Sequence, residues 1–176
     1  ETDIRDYKGK LVVSHDIPNG KVILFEDLLK FYKKINSNKR LALNIKSDGL
    51  QSELLKLIKK YKIKNYFIFD MSIPETIKYS KTKLNIYLRV SEYENDYKNC
   101  TYDGLWVDQF DSDWITPNKL FKLLSSNKNI CLVSSELHGR DYRKMWEMLL
   151  KNQIYKYKNF SLCTDYPEKT KFYFNV

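Results

Sequence analysis

The chain has 176 residues, of which 43% are apolar and 30% charged, with 31 Lys+Arg against 22 Asp+Glu for a formal charge of +9. That length buries a sizeable core in one domain, and the composition excludes an intrinsically disordered chain. No apolar run approaches the roughly 18 residues of a membrane-spanning helix, and Cys100, Cys131 and Cys163 are too few and too scattered for a disulfide framework or a cysteine zinc site.

The lysines are spread along the chain, as at Lys33, Lys34, Lys59, Lys60, Lys62 and Lys64, and form neither a basic tail nor a nucleic-acid motif. They read as a solvated face that can also attract something anionic, such as a phosphoester or a membrane surface. Cys131 and Cys163 lie in the apolar runs ICLV and SLC and read as buried small hydrophobes. Reduced thiols fit a cytoplasmic location.

In chain order, LVVS (11–14) reads as a short strand. A turn through Pro18, Asn19 and Gly20 follows, and Leu28, Leu29, Phe31, Tyr32 and Ile35 then fall at helical spacing. RLALNIK (40–46) reads as a strand and SELLKLIKKYK as an amphipathic helix with Ser52 as its N-cap. YFIFD (66–70) is an apolar strand. SIPETIKYSK is a helix with Ser72 as cap and Pro74 in the first turn. NIYLRVS (85–91) and GLWVDQF (104–110) are further strands. TPNKLFKLLSSN is a helix capped by Thr116, NICLVSS (129–135) a strand, and RDYRKMWEMLLKNQIYKYK the longest helical stretch. Its apolar face is Tyr142, Met145, Trp146, Leu149 and Leu150, and FSLCTDYP (160–167) closes the chain as a strand.

A strand followed by a helix, repeated every roughly 20 to 25 residues, implies right-handed βαβ units and a parallel sheet. Five glycines and no GxGxxG argue against a dinucleotide-binding sheet. Polar residues gather instead where strands end: Asn44 and Lys46, Asp70, Arg89 and Ser91, Asp108, Glu136 and His138, Thr164 and Asp165. That pattern favours an α/β fold of the TIM-type (β/α)8 barrel kind with a polar mouth, as a single domain over 1–176. Counting ETDIR as the end of one strand gives seven barrel strands, with LVVS outside the barrel. The first strand is expected to precede Glu1.

The opening ETDIRDYKGKLVVSHD resembles the signature of the glycerophosphodiester phosphodiesterase family, within the superfamily of phosphatidylinositol-specific phospholipase C. The family pattern is Glu-x-Asp at a strand end, a small hairpin and a His-Asp pair. LNIK resembles its next strand end, usually Glu-x-Lys, and CTDYP resembles its terminal Thr-Asp-x-Pro, so the resemblance spans Glu1 to Pro167. It implies a barrel phosphodiesterase using one divalent cation, magnesium or calcium, with Glu1, Asp3 and Asn44 as ligands. Residues two apart on a strand share a face, so two carboxylates there can converge on one hard cation. His15 would be the general acid or base and Lys46 would add positive charge on the phosphate.

Two departures stand out. The His-Arg motif of the family's first strand is absent, His15 and His138 being the two histidines present, and Asn44 stands where the family usually has a third carboxylate. By position alone, Arg89, Asp108, Glu136 and His138 are candidates for substrate binding, with Trp106 a core residue. The expected activity is metal-dependent hydrolysis of a glycerophosphodiester or similar small alcohol-phosphate diester, a lipid-metabolism chemistry. The expected partners are that small substrate, no specific nucleic acid, and peripheral attraction to anionic membrane. The alternative is a catalytically weakened barrel that binds anionic lipid, glycan or nucleic acid.

Overall fold

A computed structural model describes residues 1–95 and 100–176. The chain packs as two compact units: 1–87 with 100–102, and the remainder of the described residues.

In the first unit, β1 (Thr2–Tyr7) and β2 (Lys10–Val13) form an antiparallel hairpin with Tyr7 opposite Lys10. Lys8 (φ +49°) and Gly9 (φ +73°) make the two-residue connection. Left-handed geometry at both positions matches the right-handed twist of the paired strands, and glycine takes the second without steric cost. The hairpin continues into β3 (Ile23–Leu24), which pairs with β2, and then α1 (Phe25–Lys34). Strand β4 (Leu41–Ile45) returns parallel to β1, α2 (Gln51–Lys60) follows, β5 (Tyr66–Phe69) pairs parallel to β4, and α3 (Ile73–Tyr79) comes next. The sheet order is β3-β2-β1-β4-β5. On the far edge of β5, Ile68 bridges Ile86 in parallel and its N–H donates to Asn85 O at 2.9 Å.

Alternation puts Leu43 and Ile45 on one face of β4 and Asn44 on the other. Phe25 and Leu29 are the buried residues of α1, Leu54 and Ile58 those of α2. Full burial of one such leucine contributes about 1.5–3 kcal/mol. Phe67 stacks on Tyr87 with ring centroids 3.8 Å apart.

The chain enters the second unit within β6 (Tyr87–Val90), which neighbours β7 (Gly104–Val107). Then come α4 (Pro117–Leu124), β8 (Asn129–Val133), a 3₁₀ turn over Ser135–His138, α5 (Arg143–Lys151), a second 3₁₀ turn over Ile154–Lys156, β9 (Phe160–Cys163) and α6 (Pro167–Phe174). Strands β7, β8 and β9 pair parallel in order. The seven strands read from sequence for the α/β frame are all present, and LVVS is the hairpin partner of the first.

Several local expectations are corrected. Ser52 lies inside α2, whose cap position is Leu50. Ser72 does hold the cap position of α3, yet its side chain makes no cap bond there; its Oγ lies 3.4 Å from Asp48 Oδ1. Thr116 caps α4 as expected, its Oγ1 accepting from Lys119 N. The stretch expected to be the longest helix ends at Lys151, because Gln153 turns left-handed (φ +54°). Met145, Trp146 and Leu149 are buried in α5, whereas Leu150 is exposed. Helix α6 was not anticipated; no long apolar periodicity marks it, and Phe172 and Tyr173 on it are exposed.

Candidate functional site

Parallel pairing sets Asp3 level with Asn44 across β1 and β4. Glu1 immediately precedes β1, two residues before Asp3, and Lys46 follows β4, two residues after Asn44, so the four share one face of the sheet. Asn44 is buried, and its Nδ2 donates to Glu1 Oε1 at 3.2 Å. A carboxylate can only accept here, so the amide oxygen is the end turned away from Glu1. That atom, Asn44 Oδ1, is buried and has no hydrogen-bond partner among the described residues. Lys46 Nζ lies 3.7 Å from Asp3 Oδ1 and 3.4 Å from Asp70 Oδ2, all three side chains being largely sheltered. Asp70 adopts φ +68°, a left-handed conformation that aspartate tolerates better than most residues.

The hairpin returns the chain to the same place. Ser14 N donates to Asp3 O at 3.1 Å, and Arg5 Nε donates to His15 O at 2.9 Å. The His15 ring is exposed, and its Nδ1 lies 2.9 Å from Asp16 Oδ1. With Nδ1–H donating to Asp16, the neutral ring offers Nε2 for proton transfer.

A divalent cation was expected on Glu1, Asp3 and Asn44. Among the described residues no group of three or more His, Cys, Asp and Glu side chains could hold a metal ion. The donors here are two carboxylates and an amide oxygen, an all-oxygen set of the kind hard cations take, and the orphaned Asn44 Oδ1 is the atom such an ion would satisfy. The residues therefore fit the group by donor chemistry, with the Asn44 amide turned over so that Oδ1 replaces Nδ2 beside Glu1, one carboxylate fewer than three, and Lys46 as a competing cation.

The remaining candidates lie in the second unit and fall into three networks. Asp108 is buried; its Oδ1 is 2.6 Å from His138 Nε2 and accepts Gln109 N at 2.9 Å, while Trp106 Nε1 donates to Oδ2 at 3.3 Å. Trp106 is buried, as expected for a core residue. Phe110 packs against the His138 ring at 5.0 Å between centroids. Arg89 Nε donates to Glu94 Oε2 at 2.7 Å and its guanidinium lies over Phe110. Glu92 accepts the N–H groups of Phe110, Asp111 and Ser112. Burial pushes the Glu92 carboxyl up, and the N–H groups of Glu92 itself, Asp111, Phe110 and Ser112 together hold it below the usual range.

Glu136 accepts from Ser134 Oγ and Thr164 Oγ1 and from Asp165 N, and Trp146 Nε1 donates to Ser134 Oγ at 2.8 Å. This carboxylate ties the ends of β8 and β9 to α5. Sequence reading placed Glu136 and Thr164 at strand ends but missed Ser134 and Trp146. Trp146 carried only a core signal, and nothing local in the sequence links it to a serine twelve positions earlier.

No family model matches the chain, and no curated protein matches it. Among solved structures, it resembles the crystal structure described as "a putative glycerophosphodiester phosphodiesterase from Galdieria sulphuraria". The TM-score is 0.74 and the identity 14%, over 99% of this chain and 84% of that one. At that identity the likeness establishes a shared α/β fold with parallel sheets.

Proposed function

We propose that the protein is a metal-dependent phosphodiester hydrolase acting on a glycerophosphodiester or a similar small alcohol-phosphate diester, on a TIM-type (β/α)8 framework. The observation that carries the reading is the side-by-side placement of Asp3 and Asn44, with Glu1 beside them and Asn44 Oδ1 buried without a partner. Glu1, Asp3 and Asn44 would hold the cation, which supplies charge neutralisation on a phosphate oxygen. Lys46 adds a fixed positive charge to the bound phosphate, steadied by Asp3 and Asp70. His15, with Nδ1 engaged by Asp16, exchanges a proton with the phosphoester oxygen through Nε2.

Hydrolysis of bis(p-nitrophenyl) phosphate with magnesium, calcium, manganese or zinc tests this. Turnover should require a cation and fall by at least about a hundredfold in both Asp3→Ala and His15→Ala. One observation favours a second reading, a weakened binding module: Lys46 bridges Asp3 and Asp70, so the acidic pair is already partly neutralised. Absence of turnover with every cation would select that reading.

A further inference from the structure

At the opposite end of β4 and β5 from Asn44 and Lys46, the last turn of α1 and the loops entering both strands enclose a cleft of about 400 Å³. Tyr32, Lys33, Asn38, Lys62, Lys64 and Asn65 line it, and none of its lining residues is acidic. The walls are fixed by hydrogen bonds: Asn65 Nδ2 donates to Asn38 O at 2.8 Å, Arg40 Nε to Asn65 Oδ1 at 3.1 Å, and Tyr32 Oη to Lys39 O at 2.7 Å.

Lys33, Lys62 and Lys64, with the adjacent Lys34, Lys39 and Lys59, have no carboxylate partner among the described residues, whereas Lys30, Lys56, Lys60 and Lys78 each pair with one. Cations at the ends of α1 and α2 are favoured by the helix dipole, which accounts for Lys33 and Lys62, but Lys64 lies farther beyond α2 and needs another reason. At the same C-terminal end of α1, Phe31 and the cap residue Ile35, one helical turn apart, are 58% and 54% exposed. Uncompensated positive charge and an exposed apolar pair at one end of the unit is the chemistry of a surface that meets phosphate head groups and acyl chains together.

We propose that this end of the first unit is a docking surface for an anionic phospholipid bilayer. Lys33, Lys62 and Lys64 would meet the head-group phosphates, and Phe31 and Ile35 would enter the interface. The inference stands apart from the phosphodiesterase reading and would survive its failure. Sedimentation of the full chain with phosphatidylcholine vesicles, with and without phosphatidylserine, tests it. Pelleting is expected with phosphatidylserine only, and it should weaken as salt screens the lysines. The triple variant Lys33→Glu/Lys62→Glu/Lys64→Glu should lose at least about tenfold in partitioning. Phe31→Ser/Ile35→Ser should lose severalfold, and Lys56→Glu, at a lysine already paired, should change little. Equal pelleting with neutral vesicles, or an equal loss in Lys56→Glu, would overturn the proposal. So would full binding by the Phe31/Ile35 variant, an outcome that points to a soluble phosphate-bearing anion, detectable by titration with pyrophosphate.

Discussion

Asn44 decides most at the residue scale. It is buried beside Glu1 and Asp3, and its neutral amide lets the two carboxylates coexist with a single neighbouring ammonium. Asn44→Asp would add a third carboxylate to the donor set. Without divalent ions the variant should melt below the parent, since a buried charge beside Glu1 is costly. With saturating calcium or magnesium it should gain more than the parent, through tighter binding to the folded state. Differential scanning fluorimetry across a cation titration reads both effects, and equal shifts in the two proteins would remove Asn44 from the cation site.

Glu75 is the second residue with a clear consequence. Its carboxylate is buried, and it accepts Gly49 N at 2.8 Å and is bonded by Lys78 Nζ at 2.6 Å and by Gln51 Nε2. The Gly49 N–H and then Lys78 hold its pKa below the ordinary glutamate value, against burial. A lowered native pKa means stability that is present above the unfolded value and is lost as pH falls through the native one. Acid unfolding should therefore become less steep in Glu75→Gln. Glu75→Ala should cost about 1–3 kcal/mol at neutral pH by leaving Gly49 N and Gln51 unpaired. Urea titrations at neutral and acid pH check both.

Left-handed residues punctuate the helices at the element scale. Just past the C-caps of α1 and α2 stand Asn36 (φ +48°) and Lys62 (φ +51°), and there Ser37 N donates to Tyr32 O and Ile63 N to Ile58 O. Those bonds close each helix and turn the chain into β4 and β5. Helix α5 ends the same way at Gln153, where glycine would carry no Cβ penalty. Gln153→Gly should stabilise the fold by about 0.5–1 kcal/mol, less the entropy glycine adds to the unfolded chain. A lowered denaturation midpoint would show that Gln153 contributes through its side chain instead.

These ends were the least legible part of the sequence. Apolar spacing revealed the helices over 25–34, 51–60 and 143–151, because one buried stripe recurs every turn. Lys62 and Gln153 carry no such mark, since neither is a residue type that favours left-handed geometry. Helix α6 escaped notice for a related reason: Phe174 is its one buried residue, so no core stripe recurs along it. Strands were clearer, as β5 and β8 are buried nearly throughout and read as unbroken apolar runs.

At the scale of the whole molecule, the βαβ rhythm and the opening ETDIR…HD stretch anticipated the α/β frame with parallel sheets. They also anticipated the grouping of Glu1, Asp3, Asn44 and Lys46. Sequence could not show which carboxylates were already engaged. Glu136 is bonded to Ser134 and Thr164, and Asp108 to Trp106 and His138, across separations of up to 30 positions. Such pairings depend on strand register and on the turn over Ser135–His138, neither of which local periodicity encodes.

The central claim is that Glu1, Asp3 and Asn44 hold a cation that serves phosphodiester cleavage. Its most direct test is the hydrolysis of glycerophosphocholine by metal-stripped protein, before and after return of calcium or magnesium, with Asp3→Ala measured alongside. The account predicts no turnover when stripped, recovery on reloading, and neither turnover nor recovery in Asp3→Ala. Turnover that persists in the stripped protein, or that Asp3→Ala retains, would contradict it.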